Sequence, residues 1–144
     1  MLKFYSKVRR VDPEAQLQKA VVQHLTLAGS PGMLFFKIPN EGKRSAAYGA
    51  EMKRQGLRPG AADLCICHAG RTFFLELKAK GEKPEAAQVQ FSADALLAGC
   101  DYQWADNIDH ALTVMHGWGV IERMVSGPRR RAEHEADEAR RAAL

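Results

Sequence analysis

Two short apolar segments separated by four turn-forming residues constrain the fold of this chain more than any other feature. The segments are residues 63–67 (DLCIC) and 72–78 (TFFLELK), and His68-Ala69-Gly70-Arg71 lies between them. Apolar runs of this length that end at a glycine-containing turn are typical of strands. A connection this short predicts an antiparallel hairpin. The core of the predicted fold is therefore built around a sheet.

Helices and further strands are predicted on both sides of this hairpin. Asp12-Pro13 is typical of an N-cap followed by proline at the first helical position, and Leu17, Val21 and Leu25 then form one apolar stripe. The other predicted elements are a strand over 33–38, helices over 45–55 and 84–98, a strand over 101–105 and a helix from 106 or 107 to about 116. The sequence thus predicts one α/β domain over residues 1–126.

Charge is distributed unevenly along the chain. The net charge is only +4, but residues 1–60 hold 11 basic and 4 acidic side chains, whereas residues 61–127 hold 5 and 9. A basic surface beside an acidic cluster suits a polyanion bound near a metal site, although an ordinary solvated surface also explains the charge. Residues 127–144 form a charged tail without an apolar stripe, for which we predict a solvated or helical state or an arm that contacts nucleic acid.

Several classes of protein have no support in the sequence. The three cysteines, Cys65, Cys67 and Cys100, form no C-x-x-C pair, which argues against a disulfide scaffold or a zinc knuckle and predicts a reducing, cytoplasmic setting. No apolar run is long enough to span a membrane or to serve as a secretory signal. The sequence also lacks a phosphate-binding G-x-x-x-x-G-K-[ST] loop, so no nucleotide cofactor is expected.

The candidate chemistry centres on Glu76-Leu77-Lys78. Residues two apart on a strand point to one face roughly 6.5 Å from each other, so Glu76 and Lys78 project together. A short hairpin also brings Asp63 near Glu76. Two carboxylates 4 Å apart repel by about 4 kcal/mol at an effective dielectric of 20, so they need a proton or a cation between them. Oxygen ligands favour Mg²⁺ or Mn²⁺, while the alternative is an exposed Glu–Lys pair on an edge strand.

Two more polar residues lie on otherwise apolar helix faces. Glu14 occupies the inward stripe at the start of the first helix, where it either complements the helix dipole or faces the metal site, directly or through water. Gln88 shares a helix face with Phe91 and Ala95. A buried amide needs partners, so Gln88 either caps backbone groups or faces the Glu76 strand.

An ordered set of short motifs resembles the VRR-NUC family, a branch of the PD-(D/E)XK nuclease superfamily, in its stand-alone phage or bacterial type. The resemblance spans residues 12–118 and is carried by Glu14-x-x-x-Gln18, Ile38-Pro39-Asn40-Glu41-Gly42, residues 56–64 (GLRPGAADL), Glu76-Leu77-Lys78 and Gln88-Val89-Gln90-Phe91. Two positions depart from the usual pattern. Ala62 stands where many members have proline, and Lys83 stands where a Ser or Thr cap before Pro84 is common.

The resemblance implies a restriction-endonuclease-like αβββαβ core with a mixed four-stranded sheet flanked by helices. It implies a metal-dependent DNA endonuclease that uses Mg²⁺ or Mn²⁺, forms a homodimer and cuts branched DNA such as four-way junctions during replication or repair. The cell would be a bacterium or a phage-infected host. There are two alternatives: a protein that binds nucleic acid without cleaving it, and a domain that binds no nucleic acid.

The resemblance also implies a role for each matching residue. Asp63 and Glu76 would bind the metal with the Leu77 carbonyl, Lys78 would be the catalytic lysine, and Glu14 would complete the site, through water or directly. Gln88 would match the glutamine that follows the catalytic strand. Between the first two strands, candidate phosphate contacts are Asn40, Lys43, Arg44, Lys53, Arg54 and Arg58.

Overall fold

The structure is a computed structural model that describes residues 10–39, 45–122, 139–140 and 142–143. Its elements, in chain order, are α1 (Pro13–Ala28), β1 (Leu34–Lys37), α2 (Ala46–Arg54), β2 (Leu64–His68), β3 (Arg71–Leu77), α3 (Ala86–Leu97), β4 (Asp101–Ala105) and α4 (Ile108–Trp118). Most of the charged tail, together with Asn40, Lys43 and Arg44, lies outside the described residues. None of the described helices is long and apolar enough to cross a membrane.

The strands form a mixed sheet in the order β1-β2-β3-β4. β1 pairs antiparallel with β2 and β2 with β3, whereas β4 runs parallel to β3. Helix α3 makes the crossover that a parallel pair requires. The prediction of an α/β fold with a mixed four-stranded sheet flanked by helices is confirmed.

The hairpin predicted from residues 63–78 forms with a two-residue loop. Ala69 and Gly70 both have positive φ, at 49° and 76°, which matches a turn whose twist suits antiparallel strands. The register pairs His68 with Arg71 and Leu64 with Leu75. One step further along this ladder, Asp63 lies across from Glu76.

The main core packs one face of the sheet against α1 and α4. Strand residues Leu64, Ile66 and Leu75 are fully buried there with Val21 from α1 and Met115 from α4. Burying one such side chain contributes roughly 1.5–3 kcal/mol. The opposite face is covered by α3, where the ring of Phe91 lies 5.0 Å from that of Phe74 and 6.0 Å from that of Tyr102. The sheet is thus a layer between two helical layers.

Two helix boundaries differ from the sequence expectation. Helix α3 begins at Ala86 with Glu85 as its N-cap, whereas the sequence predicted a start at Pro84 after Lys83. The Gln88 side chain accepts a hydrogen bond from the Glu85 N–H at 2.8 Å, which favours the later start. Helix α4 runs to Trp118 and is capped by Gly119, which has a left-handed φ of 74°. In this conformation the Gly119 N–H donates to carbonyl groups of the last turn.

The turn residue Ala69 provides a test of the hairpin. Its φ of 49° is unfavourable for a side chain with a Cβ, so Ala69→Gly should stabilise the fold by about 0.5–1 kcal/mol. Ala98, with φ of −74° at the end of α3, is the matched control, because glycine there should lower stability. Thermal unfolding measures both, and a loss of stability in Ala69→Gly would contradict the turn.

Candidate active site

A cavity of about 810 Å³ opens at the edge of the sheet where β2 begins and β3 ends. The start of α1, the end of β1 and the start of α3 complete its walls. The charged side chains on its wall include Glu14, Lys19, Lys37, Asp63, Glu76 and Lys78. The structure therefore brings together the acids and the lysine that the sequence singled out.

Asp63 is held at both its side chain and its backbone. Its Oδ2 accepts a hydrogen bond from the Leu77 N–H at 2.8 Å, across the β2–β3 pair. Its carbonyl oxygen accepts a hydrogen bond from the Ile38 N–H at 2.9 Å, at the end of β1. The carboxylate therefore has a defined direction before any ligand binds.

Glu76 is the more deeply buried of the two carboxylates, with 3% of its surface exposed. Its Oε1 accepts a hydrogen bond from Gln88 Nε2 at 2.5 Å and lies 3.8 Å from Lys78 Nζ. Its Oε2 is buried, and no group in the described part of the chain hydrogen-bonds to it. Buried carboxylate oxygens normally have a partner, so Oε2 is a position where a ligand would be stabilised.

Burial, and after it the nearby charge of Asp63, raise the pKa of Glu76 from 4.5 to about 8. Lys78 opposes this shift, while Glu14 adds to it. Near neutral pH Glu76 therefore holds a proton for much of the time. A cation beside it would replace that proton by stabilising the charged form.

Lys78 lies immediately after β3 with only 7% of its surface exposed. Its backbone N–H donates to the Ala105 carbonyl at 2.9 Å, which extends the pairing of β3 with β4 by one residue. β3 is a central strand and both side chains are buried, so the alternative of an exposed Glu–Lys pair on an edge strand is excluded.

Glu14 lines the same cavity from the first turn of α1. Asp12 accepts a hydrogen bond from the Glu14 N–H at 3.0 Å and begins α1. Glu14 Oε1 in turn accepts a hydrogen bond from the Ala79 N–H at 3.3 Å, just beyond β3. The first turn of α1 is thereby joined to the segment that carries Lys78.

Gln88 performs both functions that the sequence left open. Its Oε1 accepts from the Glu85 N–H at the start of α3, and its Nε2 donates to Glu76. The amide therefore caps a helix and orients a buried carboxylate at the same time. This also explains why a polar residue is placed on the face of α3 that points to the sheet.

Comparisons with known proteins bear on the fold of the chain. No family model and no curated protein matches the chain. Solved structures do match it, and two of them are VRR_NUC domains. One, a "VRR_NUC domain", has a TM-score of 0.52 and 18% identity over 74% of this chain and 97% of that chain. The other, a "VRR_NUC domain protein", has a TM-score of 0.62 and 20% identity over 76% and 89%.

The chain has the fold of a VRR_NUC domain. Both matches cover about three quarters of the chain and nearly all of the other protein. The resemblance noticed in the motifs is thus supported by the fold. At these identities the likeness concerns the fold, and the chemistry has to be argued from the side chains.

The VRR_NUC fold here places the loop before Asp63 firmly on α3. Gly60 has φ of +75°, and a Cβ at this position would lie 2.2 Å from the Ala87 carbonyl oxygen. Arg58 forms an ion pair with Asp94 and lies 6.0 Å from the centre of the Phe91 ring. The glycine in the GLRPGAADL motif was the sequence signal for this close approach, and sequence reasoning did not use it.

Two of the basic residues predicted to contact phosphate lie outside the cavity wall. Lys53 and Arg54 lie exposed on α2, where Arg54 pairs with Glu51 at 2.6 Å. Neither lines the cavity, whereas Lys19 and Lys37, which the sequence analysis missed, do. Lys19 follows Gln18 of the first motif, and Lys37 ends β1 just before the second. Their proximity to those motifs was the available signal.

The acidic side chains at the site offer oxygen donors, which as a class suit a hard divalent cation better than zinc. Among the described residues, no group of three or more His, Cys, Asp or Glu side chains is arranged to hold a metal. Mg²⁺ needs only one or two carboxylates because water and substrate phosphates supply its other ligands. Asp63 and Glu76 provide such a pair, and the buried Glu76 Oε2 without a partner is compatible with it.

The raised pKa of Glu76 predicts how stability changes with pH. The folded state holds the proton up to about pH 8, whereas the unfolded state loses it near 4.5. Stability should therefore fall as the pH rises from 5 to 8 in the absence of divalent metal. Between pH 5 and pH 8, the melting temperature of Glu76→Gln should fall by at least about 4 °C less than that of wild type, because glutamine has no proton to lose. If the melting temperatures of the two proteins change equally with pH, the pKa of Glu76 is not raised.

Gly60 and Gly70 allow the contact with α3 to be separated from backbone strain. Both have φ near +75°, but a Cβ at Gly70 meets nothing within 4 Å. Gly60→Ala should cost more stability than Gly70→Ala, by about 1–3 kcal/mol, because of the added overlap with Ala87. Denaturant unfolding measures both variants. Equal costs would mean that the loop does not depend on this contact.

Proposed function

We propose that this protein is a divalent-metal-dependent DNA endonuclease that hydrolyses phosphodiester bonds. The observation that carries the proposal is the position of Asp63 across the β2–β3 hairpin from the buried Glu76, beside Lys78, at the wall of an open cavity. Paired carboxylates with an adjacent lysine suit cation-assisted hydrolysis of a phosphate ester. The VRR_NUC fold is consistent with this chemistry.

Each residue has a defined task in the proposed mechanism. Asp63 and Glu76 would hold Mg²⁺ or Mn²⁺ with the Leu77 carbonyl, and Glu14 would act on the same site through water. When bound, the cation lowers the pKa of a coordinated water and stabilises charge on a phosphate oxygen. Gln88 keeps Glu76 Oε1 in place by donating to it. The Lys78 ammonium neutralises charge beside Glu76 and orients the attacking water through its N–H groups.

The proposed substrate is DNA held by its backbone phosphates. Lys53, Arg54 and Arg58 have exposed side chains and are proposed to contact phosphates together with Asn40, Lys43 and Arg44. Arg58 also holds the loop on α3, so its substitution should affect Asp63 as well. A homodimer that cuts branched DNA such as four-way junctions, in a bacterial or phage-infected cell, follows from the resemblance to stand-alone VRR-NUC proteins.

The proposal is tested by cleavage of labelled single strands, duplexes, flaps and four-way junctions with Mg²⁺ or Mn²⁺. Wild type should cut at least one of these DNAs, and Lys78→Ala should bind it but cut at least about 100-fold more slowly, because a group acting in the reaction has been removed. Lys80→Ala removes an exposed lysine two residues away and should cut normally. If wild type cuts no DNA with either metal while both proteins bind equally, the protein is a binding module.

Metal binding is checked without turnover in the same preparations. Mn²⁺ should raise the melting temperature of wild type, because a ligand that binds only the folded state stabilises it. Asp63→Asn should lose most of this increase. An equal increase in Asp63→Asn would place the metal elsewhere.

A further inference from the structure

Tyr102 on β4 is a buried residue that the mechanism above does not use. It is 8% exposed, and its hydroxyl has no hydrogen-bond partner in the described part of the chain. Its ring is covered by Phe91 of α3. Phenylalanine would fill the same space without burying a polar atom, so the hydroxyl group needs an explanation.

The register of the sheet places Tyr102 beside the candidate active site. Tyr102 pairs with Phe74, two residues before Glu76 on the same face of β3. Burial raises the pKa of the Tyr102 hydroxyl, and the charges of Glu76 and Asp63 raise it further. On this register the Tyr102 side chain lies on the same sheet face as Glu76, on the neighbouring strand.

Two buried polar atoms without partners thus occur in one small region. One is the Tyr102 hydroxyl, which can donate one hydrogen bond and accept others, and the other is Glu76 Oε2, which accepts when Glu76 is ionised and can donate when Glu76 holds a proton. No direct hydrogen bond joins them. A water molecule between a donor and an acceptor satisfies both, as buried waters commonly do.

We propose that one bridging water joins the Tyr102 hydroxyl to Glu76 Oε2, and that Tyr102 is a positioning residue for this carboxylate. Gln88 then holds Oε1 from α3, and Tyr102 holds Oε2 from β4, so rotation of the carboxylate is restricted from two sides. A carboxylate oxygen has two lone pairs, so Oε2 accepts from the water and still has one for a cation. The role of Tyr102 in turnover rests on the proposed nuclease function. The water-mediated link between Tyr102 and Glu76 does not depend on that function.

A double-mutant cycle tests the link through thermal unfolding, with no need for activity. Tyr102→Phe should lower the melting temperature of wild type by a few degrees, because the water loses its donor. In Glu76→Leu the hydroxyl has already lost its partner, so the same change should be neutral or stabilising. Glu76→Met is a second apolar variant should Glu76→Leu not fold. Equal shifts of the melting temperature in both backgrounds would overturn the link.

Tyr48 provides the matched control, since its ring is half exposed on α2, away from the cavity wall. Tyr48→Phe should shift the melting temperature equally in the wild-type and Glu76→Leu backgrounds. In the cleavage assay, Tyr102→Phe should lower kcat about tenfold at unchanged KM, and Tyr48→Phe should leave kcat unchanged. If thermal unfolding shows that Tyr102 and Glu76 are coupled but Tyr102→Phe has an unchanged kcat, Tyr102 has no positioning role in turnover. A protein that cuts no DNA would refute the nuclease proposal, while the cycle would still decide the link.

Discussion

The pairing of Asp63 with Glu76 is the constraint on which the rest of the site depends. The β2–β3 register brings the two carboxylates together, and burial makes their repulsion costly. The surrounding contacts offset that cost. Lys78 supplies an opposite charge, Gln88 and the Leu77 N–H donate hydrogen bonds, and a proton on Glu76 removes one of the charges. An arrangement of this kind has little value for stability alone, which is why we interpret it as functional.

Helix α3 does more than cover one face of the sheet. Its first turn holds Glu76 through Gln88, its backbone is in close contact with Gly60, and its Asp94 pairs with Arg58. The loop that leads into Asp63 and the strand that carries Glu76 are thus positioned by the same helix. Movement of α3 would therefore displace both carboxylates together.

The parts of the fold that follow local rules were predictable. Asp12-Pro13 begins α1, Ser45 caps α2, and the Ala69-Gly70 turn sets the hairpin and hence the proximity of Asp63 to Glu76. The start of α3 was predicted two residues too early, since Pro84 is a common first residue and the alternative cap at Glu85 depends on Gln88. The positions of Lys19 and Lys37 on the cavity wall depend on how α1 and β1 pack, which one local pattern does not reveal.

The sequence by itself determined the elements, the hairpin register and the identity of the chemical groups, because backbone preferences and two-residue alternation act over a few neighbouring residues. Only the tertiary structure decided which of those groups meet. Glu14 reaches Ala79 across 65 positions of the chain, and Arg58 reaches Asp94 across 36. It also decided that the Tyr102 hydroxyl is buried on the sheet face that carries Glu76. Such contacts depend on the packing of whole helices against the sheet, and burial, which raises the pKa of Glu76, exists only once that packing is complete.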